Sequence, residues 1–512
     1  MAKNVLGREI PEIKFGKRLK PFKGAFTTEP TGRYHSPCYG KMVSRYDHKV
    51  FDSLEKALEQ VPLRDGMTVG FHHALRNGDY VINLAIETLA QMGVKSLTLA
   101  PTALFPIHAP LLKFIEEGII GRIEGSLNGP LGNAVSKGEV MIPTVLRSHG
   151  GRARAVQSGD LRLDLSIIAA AGADIFGNLN GMVGLSSFGA MGYPMDSDTI
   201  YADHVIAVTD SLQGGLINPV SIPGHRVNSV VVVDRIGDPD GIHTGSLGRT
   251  LKPSQEVIAE AVAGVIRNSG WFKHGMSYQA GAGSISLAVT GHMERAMTDA
   301  GIRGSFIFGG INNAAVKLVE RGLFEHIYDA QTFELGAIES LAYNAYHSEV
   351  SIDYAYNPWA RGGCLANRID FSVLGAMEVD CSFNVNVNTF SNGLLNAGIG
   401  GHQDSAISKI TIVTVPVARK VPVIIDNVTT VSTPGECIDV VCTDQGIAVN
   451  PRRPKLKERL LKAGLPVKEI TELRDLAISQ AEKIPLNLTD EICTLVEYRD
   501  GTVIDTIRRI ET

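Results

Sequence analysis

GMTVGFHHALRNGDYVINLAIETLAQMGVKSLTLA, residues 66–100, decides the fold class. GMTVGF (66–71) and SLTLA (96–100) are short apolar runs of strand character. Between them, in VINLAIETLAQM (81–92), Val81, Leu84, Ala85, Thr88, Leu89 and Met92 recur at spacings of three and four, which predicts a helix with one apolar face. Strand, helix, strand in so short a span predicts a parallel pair with a crossover helix, and repetition of the pattern predicts an α/β chain with a mostly parallel sheet flanked by helices.

The same pattern returns in the second half. APLLKFIEEGIIGRIEGS (109–126) lies on NAAVKLVERGLFEHIYDA (313–330), pairing Lys113 with Lys317, Glu116 with Glu320, Gly118 with Gly322 and Ile123 with Ile327. Upstream, GMTVGFHHAL (66–75) matches GMSYQAGAGS (275–284), and the run from Gly93 matches the run from Gly301. Three weak matches in one order imply a duplicated fold. The expected organisation is an N-terminal extension (1–48), a first domain (49–235), a linker (236–254) rich in Gly, Asp, Pro and Ser, and a second domain (255–512). Ser254 is the expected N-cap of the helix after the linker, whose stripe is Val257, Ile258, Ala261, Val262, Val265 and Ile266. TLVEYRDGTVIDTI (494–507) reads as a hairpin completing the second domain.

The chain has 512 residues, 44% hydrophobic and 20% charged, with a formal charge of −5. That suits a globular protein of two or three domains and offers no general cationic field for nucleic acid or acidic membrane. The first residues differ, with Lys3, Arg8, Lys14, Lys17, Arg18, Lys20 and Lys23 against Glu9 and Glu12. They are either a patch for an acidic partner or a solvated basic arm. No signal-peptide pattern and no run of about 20 uncharged apolar residues is seen, so a cytoplasmic location is expected. Cys38, Cys364, Cys381, Cys437, Cys442 and Cys493 form no C-x-x-C pair and are expected as free thiols. No metal motif is present.

Three segments carry candidate chemistry. YQAGAGSISLAV (278–289) passes from a strand through Gly281 and Gly283 into a helix, a place where backbone N–H groups meet a phosphate, carboxylate or oxyanion. NAGIGGHQDSA (396–406), with Gly400 and Gly401, precedes the strand KITIVTVPV (409–417) and allows close ligand approach. RSHGGRARAV (147–156) gathers Arg147, His149, Arg152 and Arg154 around Gly150 and Gly151, a basic loop suited to a polycarboxylate. His72 and His73 end a strand, where the structural role is the commoner one. A bare turn remains the competing reading of both glycine segments.

Taken together, YQAGAGSISLAV, FIFGGINN, YDAQTFELGAIESL, AMEVDCSFNVNVN, GIGGHQDSA and VPVIIDNVTTVSTPGECIDVVCTDQGIA resemble the C-terminal half of CoA-transferases of the butyrate and hydroxybutyrate type. With PFKGAFTTEPTGRYHSPCYGK and RSHGGRARAV added, the whole chain resembles the citrate lyase alpha subunit family. The resemblance implies two related NagB/RpiA/CoA-transferase-like domains and transfer of an acyl-carrier thiol from acetate to citrate. It also implies an oligomeric complex with an acyl carrier protein, whose phosphoribosyl-dephospho-CoA arm carries the thioester, and a lyase subunit that cleaves citryl thioester. No tightly bound cofactor is implied; acetyl-CoA can stand in for the carrier as thioester substrate.

Many CoA-transferases carry a nucleophilic glutamate in a segment like HTEMFSDG; laid on DAQTFELG (329–336), it falls on Gln331. An amide forms no acyl anhydride, which implies a direct citrate–acetyl anhydride in a ternary complex. Glu334, three residues on, would restore a carboxylate in a shifted register and a covalent glutamyl route. The expected roles are reacting-group contacts for Gln331 or Glu334, citrate contacts for His149, Gly150, Gly151 and Arg152, and thioester or oxyanion contacts for Gly281, Gly283, Gly400 and Gly401. A citramalate-specific transferase, a sugar-phosphate isomerase relative and a carrier-docking scaffold are the alternatives.

Overall fold

In a computed structural model, residues 2–14, 16–26, 49–243, 251–281, 283–360 and 362–511 are described. Most of PFKGAFTTEPTGRYHSPCYGK, Cys38 and part of the expected linker (244–250) lie outside these residues. The first half forms a seven-stranded sheet from β1 (Val50–Phe51), β2 (Thr68–Phe71), β3 (Leu97–Pro101), β4 (Ile120–Ile123), β5 (Leu165–Ala170), β6 (His204–Thr209) and β7 (Ser229–Val232). Their spatial order is β1-β7-β6-β5-β2-β3-β4, and every pair is parallel. Covered on both faces, the central strands are apolar throughout, as LSIIAA of β5 illustrates with all six residues buried.

The second half repeats the plan with β8 (Tyr278–Ala280), β9 (Gly304–Ile311), β10 (Phe324–Thr332), β11 (His347–Glu349), β12 (Phe371–Gly375), β13 (Ile410–Thr414), β14 (Val440–Thr443), β15 (Gly446–Val449) and β16 (Val467–Lys468). Their order is β11-β10-β9-β8-β12-β13-β14-β15-β16, antiparallel only between β14 and β15. Hence β4-β3-β2-β5-β6-β7 and β10-β9-β8-β12-β13-β14 are one arrangement twice. Each half also has a small three-stranded sheet entered through an aspartate. Asp174 Oδ1 accepts the N–H groups of Phe176 and Asn178, as Asp380 Oδ1 accepts those of Ser382 and Asn384.

The helices that position the cleft are α1 (Val81–Gln91), α2 (His149–Ser158), α3 (Gly192–Met195), α4 (Pro253–Asn268), α5 (Ser284–Ala300), α6 (Asn313–Glu320), α7 (Leu335–Tyr343), α8 (Ile352–Tyr356) and α9 (His402–Ser405). In α1 the buried stripe is Val81, Ile82, Ala85, Ile86 and Leu89, rotated from the expected one so that Leu84 faces outward. In α4 the N-cap is Lys252, with Pro253 opening the first turn and Ser254 inside it. Its Val257 is half exposed, and Ala259 and Ala263 are buried with the expected Ile258, Val262, Val265 and Ile266.

Two further expectations are corrected. The C-terminal hairpin, Leu488–Glu497 against Val503–Ile510, pairs in parallel with Thr144–Leu146 of the first half instead of closing the second. The pairing is sealed by Thr144 and Thr494, whose hydroxyls meet at 2.6 Å. The front of the expected linker packs on the first half: Ile236 and Ile242 are fully buried there, and Gly78 abuts Asp238. The N-terminal segment is also anchored, with Phe22 edge-on to Tyr498 and Arg8 3.4 Å from Asp505. Among the described residues no helix is long and apolar enough to cross a membrane.

Candidate functional site

Each half sends one segment across to the other. Between Asn180 and His204 the first half contributes the segment bearing α3, and between Asn386 and Ile410 the second contributes the segment bearing α9. The two have equal length, and one glycine and one aspartate coincide: Gly192 with Gly398, Asp198 with Asp404. Gly192 lies so close to the second half that a Cβ would stand 2.5 Å from Ala330 O. Beside it the Ala190 N–H donates to Thr332 Oγ1 at 3.0 Å, and the Met191 N–H to Glu349 Oε2 at 3.1 Å. In return, Gly400 O accepts the His149 N–H at 3.0 Å, and the Asp404 carboxylate accepts Ser148 Oγ and the Gly150 N–H, both at 3.0 Å. Arg499 approaches Asp404 from behind at 3.4 Å.

Between these crossings lies a cleft of about 220 Å³, walled by residues that include His149, Tyr193, Gln279, Gly281, Gln331, Phe333, Tyr356, Gly401 and His402. Gln331 reaches it because β9 and β10 slip register between Gly309 and Gly310, leaving Ala330 as the extra residue. Such a bulge re-aims the residues after it. The Gln331 amide is fixed at both ends: Nε2 donates to His73 O at 3.1 Å, and Oε1 accepts the Tyr193 hydroxyl at 2.9 Å. With its proton so committed, the Tyr193 oxygen accepts from His149 Nε2, 3.1 Å away. His73 tilts against Tyr193, with ring centroids 4.4 Å apart, and stacks on His149 at 5.5 Å.

Burial governs the charge state of this wall. It lowers His149 to about 3, helped by the nearby Arg76 and Arg152 charges, and His402 to about 4 against the opposing effect of the Gly375 carbonyl. His73 falls well below its ordinary range for the same leading reason, with His149 and Arg76 adding to it. Burial drives the Tyr193 and Tyr356 phenols upward, so both stay protonated. Asp404 is pushed up to about 6 by burial, against the pull of Arg499. The wall's histidines and phenols are therefore neutral, hydrogen-bonding groups at pH 7, with Asp404 set behind them. Cys437, Cys442 and Cys493 are held as inert thiols by the same physics, Cys437 being pushed up to about 12 and Cys493 to about 11.

Residues 47–510 match the family model described as citrate lyase, alpha subunit. The chain belongs to this family. It is 43% identical over 470 residues to the citrate lyase alpha chain of Escherichia coli K12, covering 91% of this chain and 92% of that one. To the Klebsiella pneumoniae citrate lyase alpha chain it is 40% identical, covering 93% and 94%. A crystal structure described as the alfa subunit of citrate lyase in complex with citrate, from Streptococcus mutans, superposes with a TM-score of 0.95 at 39% identity over the whole of both chains. The alpha subunit of a malonate decarboxylase from Acinetobacter baumannii shares the fold at TM-score 0.63 and 16% identity, over 85% of this chain and 88% of that one.

Within this citrate lyase alpha fold, the residues singled out from sequence separate into three groups. Gln331, His149, Gly281 and Gly401 line the cleft; Gly400 sits at its edge, and Gly283 caps α5 with open space about its Cα. RSHGGRARAV is not a loop: Ser148 caps α2 by accepting the Gly151 N–H, and the paired glycines form its first turn. Gly150 is required there because a Cβ would stand 2.2 Å from Tyr356 O. The Gly150 and Gly151 amides are thus occupied within the protein. Arg152 points away from the cleft, its guanidinium held by Asp198 at 2.6 and 2.9 Å and by Ala100 O at 2.7 Å. Arg147 and Arg154 likewise pair with carboxylates. Glu334 is absent from the cleft wall; its Oε2 accepts the Asn313 N–H at the start of α6.

Sequence reading passed over Tyr193, Tyr356, Gln279 and His402 of this cleft, and took the structural role as the commoner one for His73. Tyr193 had a legible signal, because it directly follows the glycine of the repeated Gly192-to-Asp198 spacing. Tyr356 and Gln279 had none, since they reach the cleft only through the packing of α8 and β8.

Proposed function

We propose that this chain is the subunit that moves the acyl-carrier thiol from acetate to citrate, giving citryl thioester and acetate, within a complex that also contains an acyl carrier protein and a citryl-cleaving lyase subunit. The thioester would enter on the carrier's phosphoribosyl-dephospho-CoA arm, with acetyl-CoA as a simpler substitute. Membership of the citrate lyase alpha family supports the reaction, and the citrate named in the Streptococcus mutans relative supports the acceptor.

The observation that carries the mechanism is the pair Gln331 and Glu334. The residue presented to the cleft is an amide, while the nearby carboxylate is spent on capping α6. Without a protein carboxylate, a citrate carboxylate oxygen attacks the acetyl carbonyl, and the thiolate leaves from the tetrahedral oxyanion. The mixed acetyl–citryl anhydride is then opened by that thiolate at the citryl carbonyl, and acetate departs. This chain's share is positioning and polarity. Tyr193 and Gln331 hold the reacting acyl group, and Gly281 lets the thioester approach the backbone. Phe333, Leu374 and Tyr356 keep water from the anhydride.

The test incubates purified protein with acetyl-CoA and citrate, following citryl-CoA by mass spectrometry, with a parallel sample trapped by borohydride after acetyl-CoA alone. Citryl-CoA with no modified peptide is expected. Reduction of the Glu334 side chain to an alcohol, the mark of a glutamyl thioester, would refute the ternary route, and the absence of citryl-CoA would refute the transferase reading. Comparing citrate with citramalate fixes the acceptor.

A further inference from the structure

Among the described residues the cleft wall has no lysine or arginine, and its histidines are neutral. A tricarboxylate entering such a surface would leave its charge uncompensated. One cation stands just behind the wall. Arg76 lies with its guanidinium carbon 5.0 Å from the ring centre of Phe333, a wall residue, and 4.9 Å from that of Phe105.

Arg76 is half-buried and differs from the buried arginines of the site. Arg147, Arg152, Arg154 and Arg499 each face a carboxylate: Glu124 and Glu497, Asp198, Asp160, and Asp404. The Arg76 guanidinium has no hydrogen bond and no ion pair among the described residues, only two aromatic faces. Aromatic faces attract a cation but accept none of its five N–H donors. Its backbone is held in place as well. Arg76 has φ of 52°, in the left-handed region, and the turn containing it is pinned because Gly78 meets Asp238 O closely enough that a Cβ would stand 2.0 Å away. A guanidinium held rigidly against two aromatic faces, with its N–H donors free, is a preformed fork for one carboxylate.

We infer that Arg76, clamped between Phe105 and Phe333, receives a citrate carboxylate that does not react, and so turns a neutral cleft into one selective for a polycarboxylate. The inference rests on the transferase reading for the identity of the anion. Its experiment uses binding, so the two can fail separately.

Citrate affinity is measured by calorimetry on the full-length protein and on Arg76→Gln and Arg76→Lys, alongside steady-state transfer from acetyl-CoA. Arg76→Gln is expected to weaken citrate binding and raise the citrate KM at least tenfold, with the acetyl-CoA KM within twofold and the melting temperature preserved. Arg76→Lys, which keeps the charge and loses the fork, is expected to weaken citrate at least threefold. Citrate affinity within twofold of wild type in a folded Arg76→Gln protein overturns the inference; if that variant does not fold, unchanged affinity in Arg76→Lys does so. Arg76-dependent citrate binding without citryl-CoA formation in the wild type would leave this inference standing and refute the transferase reading.

Discussion

Tyr193→Phe removes one oxygen from the centre of the cleft and leaves the ring in place. That oxygen donates to Gln331 Oε1 at 2.9 Å and accepts from His149 Nε2 at 3.1 Å, so two buried groups each lose a partner. An unpaired buried polar group costs about 1–3 kcal/mol. The cleft volume of about 220 Å³ admits replacement water, which favours the lower end of that range. The sum is about 2 kcal/mol. If Gln331 is aligned with the reacting acyl group only through this hydroxyl, the loss falls on the transition state and lowers kcat about 30-fold. Citryl-CoA formation is assayed at saturating acetyl-CoA with citrate varied. A kcat within twofold of wild type would refute the idea that Tyr193 orients Gln331, whatever happened to KM.

Arg152→Ala strands the buried Asp198 carboxylate, so a stability loss of about 3–5 kcal/mol is expected. The citrate KM of the folded fraction should stay within threefold; a tenfold rise at unchanged stability would return Arg152 to the citrate site. Asp404 gives a pH signature. Its folded-state value of about 6, against 3.8 for the free group, means burial penalises the ionised form, so its contribution favours folding while it is protonated. That contribution is full below about pH 4 and is lost as pH rises through about 6, by about 3 kcal/mol. Urea denaturation across pH 4–7 should therefore show wild type losing stability relative to Asp404→Asn as pH rises, and a difference that rises or stays flat would contradict the assigned direction.

The frame was legible because its physics is local. Doubly covered strands are continuously apolar, α1 shows its period, and the Gly118–Gly322 and Ile123–Ile327 matches report the repeat. The helix faces were less so: Leu84 and Ile86 carry the same hydrophobicity in sequence, and only docking decides that Ile86 goes in. The arginines of α2 misled for a related reason. Basic residues beside paired glycines suggest an exposed anion loop, but their carboxylates, Asp198 and Glu497 among them, lie 46 and hundreds of residues away. The site itself depends on two chain crossings, and no window of sequence contains both.

The duplication also explains why, among the described residues, the seam opposite this cleft is filled. Extending the matched repeat by one residue sets Leu127 opposite Gln331, and the equal-length crossing segments set Ile399 opposite Tyr193. The pseudo-equivalent contact is present in the structure: Gly398 packs on Ser126, where a Cβ would stand 2.1 Å from its Cβ, as Gly192 packs on Ala330. At that second seam, however, Leu127 and Ile399 are buried within the first half's hydrophobic cluster. Burying two such side chains contributes about 3–6 kcal/mol. The apolar seam therefore holds the halves in register, while its polar counterpart stays hollow, with Tyr193 and Gln331 on its wall. A duplicated frame with one seam filled can tolerate the cost of buried, neutral polar groups in the other.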